Sequence, residues 1–387
     1  MQYRHLPFTL GLCHLLLNRS QLDLAMYLFL TFLLLAAITL FFVSRGYRAK
    51  DHSQFDSPKD PLVISEADLS DGHSAVIERL KAFQKQSGIK IADQRQRMEE
   101  LFFQEVDAVI TPVDVNGIAS EWVMADRADP NRRLLYLHGG AFRVGSPRSH
   151  RYITAELSRR AGVAVLSIDY RMQPEFKTIA CHQDAQIAYQ WILQNGPEGT
   201  GAPQELYVAG DSAGGNLTLS VIAWARDNKL PAVDGAIALA PLTDATMSSP
   251  TWKSNQRSDP FLGPSLGQML KIPLGVVHLI SRLAGGAAPN DPMLSPLLGK
   301  LSGLPPILIQ ASADEMLYGD AQRYANKARV SGSDVTLQLW PKMVHVFQGF
   351  GPDLAEAQDA LERIAGFIGA RSQASTNTEP ELKAPQN

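Results

Sequence analysis

Five residues constrain this chain more than any others. Gly210-Asp211-Ser212-Ala213-Gly214 lies between a short apolar run of β character, Leu206–Ala209, and a helical pattern in which Leu217, Val221 and Trp224 share one face. The spacing Gly-x-Ser-x-Gly has a steric origin. A serine on a sharp strand-to-helix turn sits in strained backbone with its hydroxyl pointing out. A Cβ two residues to either side would collide with the neighbouring strand or helix, so glycine occupies both places. The helix that starts here aims its first N–H groups at the same point. A Gly/Ser-rich pentapeptide alone is equally a loop. The strand before it and the helix after it make Ser212 a nucleophile candidate.

The same alternation continues on both sides. Strand patterns cover Arg133–Leu137, Val163–Ile168, Leu206–Ala209, Ala236–Ala240, Ile307–Gln310 and Val335–Leu339. Helical patterns between them cover 150–160, 183–194, 214–227 and 318–331, with 354–368 closing the series. Buried strands alternating with helices imply a mostly parallel sheet covered on both faces. Ligands of such sheets sit beyond the carboxyl ends of the strands. Two further helical patterns, 73–86 and 91–104, and two β-like runs, 108–113 and 118–124, precede this region. With 387 residues, 45% of them apolar, the chain has ample core for one large domain or two small ones.

The net charge of −3 gives no argument for nucleic acid. Two cysteines, Cys13 and Cys181, imply no disulfide framework, and no metal-binding motif is present.

A serine hydroxyl needs a base to take its proton, normally a histidine oriented by a carboxylate. Asp314 follows the strand pattern Ile307–Gln310, and His345 follows Val335–Leu339. Both are therefore at the expected end of the sheet. Glu315 is the rival acid, with a solvated loop charge as its plainer interpretation. His73, His150 and His278 fall in or near helical patterns, His182 precedes one, and each is a poorer base candidate. After Arg133–Leu137 comes His138-Gly139-Gly140-Ala141-Phe142. Glycines there let backbone N–H groups turn toward a developing oxyanion, where one donor is typically worth ~3 kcal/mol. The N–H of Ala213 supplies a further donor.

The N-terminal part reads differently. Residues 1–23 form a leader. Leu24 to Ser44 runs without a charge, and roughly 20 apolar residues match a bilayer's hydrocarbon thickness. The expectation is one transmembrane anchor at 24–44, making the protein single-pass, with the basic residues after it placing the catalytic domain on the cytoplasmic side. Residues 45–71 read as a linker, 72–370 as the domain, and 371–387 as a disordered tail. An apolar interruption at 261–286 reads as a lid segment or a membrane-facing patch.

His138-Gly-Gly-Ala141, Asp169-Tyr-Arg171 with Pro174-Glu175, Gly210-Asp-Ser-Ala-Gly-Gly-Asn216, and the loops of Asp314 and His345 together resemble the hormone-sensitive-lipase-like family of α/β-hydrolases. The order Ser212, Asp314, His345 agrees with that fold. The segment Gly117-Ile-Ala-Ser-Glu-Trp-Val123, with Gly145-Ser-Pro147 and Leu304-Pro-Pro-Ile307, looks like the acetyl-hydrolase and monoterpene ε-lactone hydrolase branch. The resemblance implies an α/β-hydrolase fold with a helical cap, built from about 72–110 and 245–292, and a serine carboxylesterase without cofactor. Its substrate would be a small-molecule ester (acetyl or short-to-medium acyl) or a lactone. Carried over by position, Ser212 is the nucleophile, Asp314 the acid and His345 the base. Gly140, Ala141 and Ala213 are the oxyanion donors and Gly139 shapes their loop. His138, Asp169, Arg171 and Glu175 support the site. A non-catalytic binding protein and an amidase are the alternatives on the same fold. Two departures stand out: Ala141 replaces the usual third glycine, and Gln173-Pro-Glu-Phe-Lys-Thr-Ile179 replaces the usual Ala-Pro-Glu-His-Pro-Phe-Pro.

Overall fold

Val163–Ile168 is six buried residues in succession. Val-Ala-Val-Leu-Ser-Ile has no polar alternation, so helices must cover both faces of its sheet. The computed structural model, which describes residues 9–47, 51–57, 61–64, 69–85 and 90–376, has that arrangement. The first eight residues of the expected leader and positions 377–387 of the expected tail lie outside the described residues.

In chain order the strands are β1 (Leu62–Val63), β2 (Val109–Val115), β3 (Ile118–Met124), β4 (Asp129–Leu137), β5 (Val163–Ile168), β6 (Asn195–Gly196), β7 (Gly199–Thr200), β8 (Glu205–Asp211), β9 (Gly235–Leu239), β10 (Ile307–Ser312) and β11 (Val335–Trp340). Among the described residues one nine-stranded sheet runs β1-β11-β10-β9-β8-β4-β5-β3-β2, and β6 and β7 form a separate ribbon. The pairs β2–β3 and β3–β5 are antiparallel. The rest of the large sheet is parallel. The register sets Leu137 beside Gly210 and Asp211 beside Leu239, so β4, β8 and β9 end level with one another.

The helices are α1 (Thr9–Gly46), α2 (Gly72–Lys85), α3 (Ile91–Phe102), α4 (Arg151–Ala161), α5 (Thr178–Ile192), α6 (Ala213–Asp227), α7 (Thr251–Ser254), α8 (Gly263–Met269), α9 (Leu274–Gly285), α10 (Tyr318–Val330) and α11 (Ala355–Thr376). Alternate residues of β4 face opposite layers. Leu135 and Leu137 join a core with Ala185 of α5, Leu217 of α6 and Ala325 of α10. Leu134 and Tyr136 join another with Leu157 of α4 and with Leu361 and Ile364 of α11. Burying each such leucine contributes about 1.5–3 kcal/mol.

Two segments fold against the loops at the carboxyl ends of the strands. The first is α2 and α3, whose Val76, Leu80, Leu101 and Phe102 pack with Phe261 and with Met343, Val344 and Phe347 of the loop after β11. The second is the region of α7–α9, where Trp252 packs with Met316 and Leu317. The apolar stretch 261–286 is thus broken into α8 and α9. Val277 and His278 are buried, and Leu279, Ile280 and Leu283 are exposed.

The expected transmembrane anchor is overturned. Among the described residues, no helix is long and apolar enough to cross a membrane. Residues 24–44 instead lie within α1, which packs along α9, and Asn290 Nδ2 donates to the Gly46 carbonyl near its end at 3.2 Å. The described apolar side chains of the run, from Leu24 to Phe42, stay exposed, so the contact with α9 does not bury them, and a charge-free run of about 20 residues is by itself an insufficient sign of a span. The single-pass membrane assignment, the cytoplasmic placement of the domain and the membrane contact derived from that anchor are withdrawn with it.

Part of the stretch 45–71 is docked. Leu62 and Val63 pair with Gln338 and Leu339, extending the sheet by one short parallel strand. Asp56 pairs with the nearly buried Arg323 of α10, whose Nη1 also donates to Ser248 Oγ at 3.0 Å. Asn326 Nδ2 donates to the carbonyls of Phe55 at 2.9 Å and Ser57 at 2.8 Å. Two residues are too few for a period-2 pattern, so β1 has no signature in the sequence. Arg323→Ala removes three of these bonds and is expected to lower the unfolding free energy by roughly 1–3 kcal/mol, as measured by urea denaturation.

Candidate active site

Ser212 joins β8 to α6 with φ 53° and ψ −113°, a conformation that L-residues rarely adopt. Its own N–H donates to the Leu239 carbonyl at 2.7 Å, and its carbonyl accepts the N–H groups of Asn216 at 3.1 Å and Leu242 at 3.2 Å. The turn is therefore held on three sides. The flanking glycines are required by contact. A Cβ on Gly210 would stand 2.5 Å from the carbonyl oxygens of Leu137 and Gly214, and one on Gly214 would enter the Leu137 carbonyl. Absence of these two side chains lets α6 start directly against the end of β4, leaving the Ser212 hydroxyl half-exposed above them.

His345 Nε2 lies 2.9 Å from Ser212 Oγ, with the imidazole itself buried. Its Nδ1 is hydrogen-bonded to Glu315 Oε2. The carboxylate behind the imidazole is thus Glu315, and the expected pairing with Asp314 is corrected. Asp314 points to the outer side of the same turn, where its Oδ2 accepts the Lys342 N–H at 2.6 Å. Glu315 is 1% exposed, and its Oε1 accepts the Ser312 N–H at 2.8 Å. The loops after β10 and β11 are braced further by Ser312 Oγ, which donates to the Met343 carbonyl at 2.6 Å. Adjacent residues of a turn point in different directions, and nothing in the string Ala313-Asp-Glu-Met316 says which one faces inward.

Burial alone would push His345 down. The charge and hydrogen bond of Glu315 outweigh it, with smaller help from Asp259 and Asp211, and hold the imidazole above its ordinary value of 6.5. Phe261 covers the ring from the α7–α8 segment, with centroids 6.0 Å apart.

The loop after β4 brings Gly139, Gly140 and Ala141 beside the serine turn. The Gly139 N–H donates to Asp211 Oδ1 at 3.0 Å, so it is engaged within the loop. Gly140 and Ala141 have φ of 118° and 54°, and a Cβ on Gly140 would run into the Val144 carbonyl. Among the described residues the N–H groups of Gly140 and Ala141 have no acceptor. Ala213 is the first residue of α6, so its N–H has no partner within the helix. The alanine at position 141 retains the backbone donor.

A buried group that sequence reasoning missed supports this loop. Asp211 accepts Tyr136 Oη at 2.8 Å as well as the Gly139 N–H, and it pairs with His150 at 3.3 Å. Burial opposes the charge on both, but their mutual attraction prevails: Asp211 lies below and His150 above its usual range. Asp211 occupies the variable position of Gly-x-Ser-x-Gly, so the motif did not draw attention to it. His138 stacks on Tyr170 with centroids 4.2 Å apart, and Tyr170 Oη donates to the His138 carbonyl at 2.7 Å. Burial and the nearby His150 push the His138 imidazole down to about 3, so it remains neutral. Arg171 is bidentate to the buried Asp184, and Glu175 pairs with Arg95 of α3 at 2.7 Å. Asp169 stays exposed at the end of β5.

The comparisons with known proteins agree with this geometry. A family model described as the alpha/beta hydrolase fold matches residues 134–349. An acetyl-hydrolase of Streptomyces hygroscopicus is 34% identical over 66% of this chain and 81% of its own length. An esterase of Acinetobacter venetianus is 31% identical over 69% of this chain and 84% of its own. Among solved structures, an esterase from the bacterial hormone-sensitive lipase family superimposes with a TM-score of 0.70 at 31% identity, covering 79% of this chain and 99% of that one. The chain belongs to the hormone-sensitive-lipase-like family of α/β-hydrolases.

An imidazole must be neutral to accept a proton, so activity is lost as pH falls through the His345 pKa. The acidic limb of kcat/KM is therefore expected to lie above pH 6.5. In Glu315→Gln it should move to lower pH, because the charge that stabilises the imidazolium is gone; a pH–rate profile on residual activity checks this.

Proposed function

We propose that the chain is a carboxylic ester hydrolase acting through an acyl-enzyme on Ser212. The single observation that carries this reading is the continuous Glu315–His345–Ser212 relay, with His345 Nε2 2.9 Å from the serine oxygen. Ser212 Oγ attacks the ester carbonyl carbon while His345 takes its proton. The carbonyl oxygen becomes an oxyanion, received by the N–H groups of Gly140, Ala141 and Ala213. As the tetrahedral intermediate collapses, His345 returns the proton to the leaving alkoxide, and the alcohol departs. Water then attacks the acyl-serine with His345 again as base, releasing the acid and restoring Ser212. Glu315 holds the imidazole in the tautomer with Nδ1–H and stabilises its charged form.

The relatives' names, acetyl-hydrolase, esterase and ethyl acetate hydrolase, support acetyl esters within the substrate class, and short-to-medium acyl esters or lactones extend it in this proposal. The presence of His345 in hydrogen-bond reach of Ser212 favours catalysis over a binding role on this fold.

The test uses p-nitrophenyl acetate, butyrate and octanoate. Ser212→Ala should abolish turnover on all three. Glu315→Gln should lower kcat on the order of 10³–10⁴-fold. Asp314→Asn should stay within about threefold of the parent, since its carboxylate contacts the rim. A large loss in Asp314→Asn with activity kept in Glu315→Gln would contradict the assignment of the acid.

A further inference from the structure

The segment from Asn255 to Leu262 is bonded to the turn that carries Glu315 more closely than packing alone requires. Asn255 Nδ2 donates to the carbonyls of Ala313 at 2.9 Å and Glu315 at 3.1 Å, and Ser258 Oγ donates to the Asp314 carbonyl at 2.8 Å. Asp259 is the centre of this clamp. Its Oδ2 accepts the Met316 N–H at 2.9 Å, and its Oδ1 accepts the N–H groups of Phe261 at 3.0 Å and Leu262 at 2.8 Å. The side chain is 2% exposed and, among the described residues, forms no ion pair. A buried carboxylate without a cation is costly. Here three N–H groups hold it, and both its oxygens are used as acceptors.

We propose that Asp259 is a positioning residue for His345: it fixes the Glu315 turn through Met316, seats Phe261 over the imidazole, and places a second negative charge behind the Glu315–His345 pair. The inference rests on the base role given to His345 above. The field of Asp259 favours the charged imidazole, in the same direction as that of Glu315, and it opposes ionisation of Glu315 itself. Asp211 adds to the same effect on His345 from the β8 side. On the α7–α10 side two further carboxyls are buried: Asp320 accepts Trp252 Nε1–H at 3.1 Å and the N–H groups of Thr243 at 2.9 Å and Asp244 at 3.0 Å, and Asp244 lies beside it. Lys253 and Arg257 are exposed, and Asp314 meets the Lys342 N–H at the rim. His73 Nε2 meets the Lys342 carbonyl there at 2.8 Å.

A purely structural clamp and a charge-bearing one differ in their pH dependence. Asp259→Asn keeps the shape and an acceptor oxygen while removing the charge. With p-nitrophenyl butyrate, the variant is expected to lose roughly tenfold in kcat with KM within about twofold, and the acidic limb of its kcat/KM profile should move to lower pH. Asp259→Ser, whose hydroxyl can also accept the Phe261 N–H, should move the limb the same way, and provides the measurement if the amide variant does not fold. An acidic limb unmoved in a folded variant would overturn the inference while leaving the esterase reading intact. A parent chain inactive on all three esters would fail that reading, and this inference with it.

Discussion

The site depends on one close approach. α6 begins against the end of β4 because Gly210 and Gly214 carry no side chain, and the Leu137 carbonyl occupies the space that a Cβ on either would need. Everything else follows from that proximity. Ser212 is forced into positive φ with its hydroxyl raised, the first N–H of α6 is directed to the same place, and the loop after β4 lies within reach of it. Strain of this kind costs on the order of 1–3 kcal/mol and persists only where surrounding contacts over-determine it. The bonds from Ser212 to Leu239, Asn216 and Leu242 provide that constraint.

Two buried acid–base pairs flank the elbow and divide the work. Glu315 and His345 lie on the side of β10 and β11, and the imidazole reaches the serine. Asp211 and His150 lie on the side of β4 and α4, and their contact ends at the Gly139 N–H. Similar chemistry thus has two outcomes. One histidine is open to a proton from the nucleophile, and the other anchors the loop that offers the oxyanion donors.

The alternation of apolar strands and helices, and the elbow itself, were legible because they rest on local periodicity and on steric rules for a few residues. Ser212 and His345 became candidates this way, whereas Gly140 and Ala141 entered as donors through the family resemblance. What remained hidden depends on side-chain direction in irregular turns or on contacts between distant segments. Asp314 and Glu315 are neighbours, and only the path of the turn after β10 decides which one enters the core. Asp211 and His150 are 61 residues apart, and Asp259 meets Met316 across 57. The N-terminal run misled for a different reason. Its composition suits a bilayer, but no described helix is long and apolar enough to cross a membrane, and the run's described side chains remain exposed on α1.

The central claim is that Glu315, one residue beyond the acid suggested by the sequence, holds His345 in place for Ser212. Proton NMR of the folded chain tests it most directly, because a buried imidazole Nδ1–H donating to a carboxylate resonates far downfield. That resonance should be present in the parent and in Asp314→Asn, and absent in Glu315→Gln. Its persistence in Glu315→Gln together with its loss in Asp314→Asn would contradict the account.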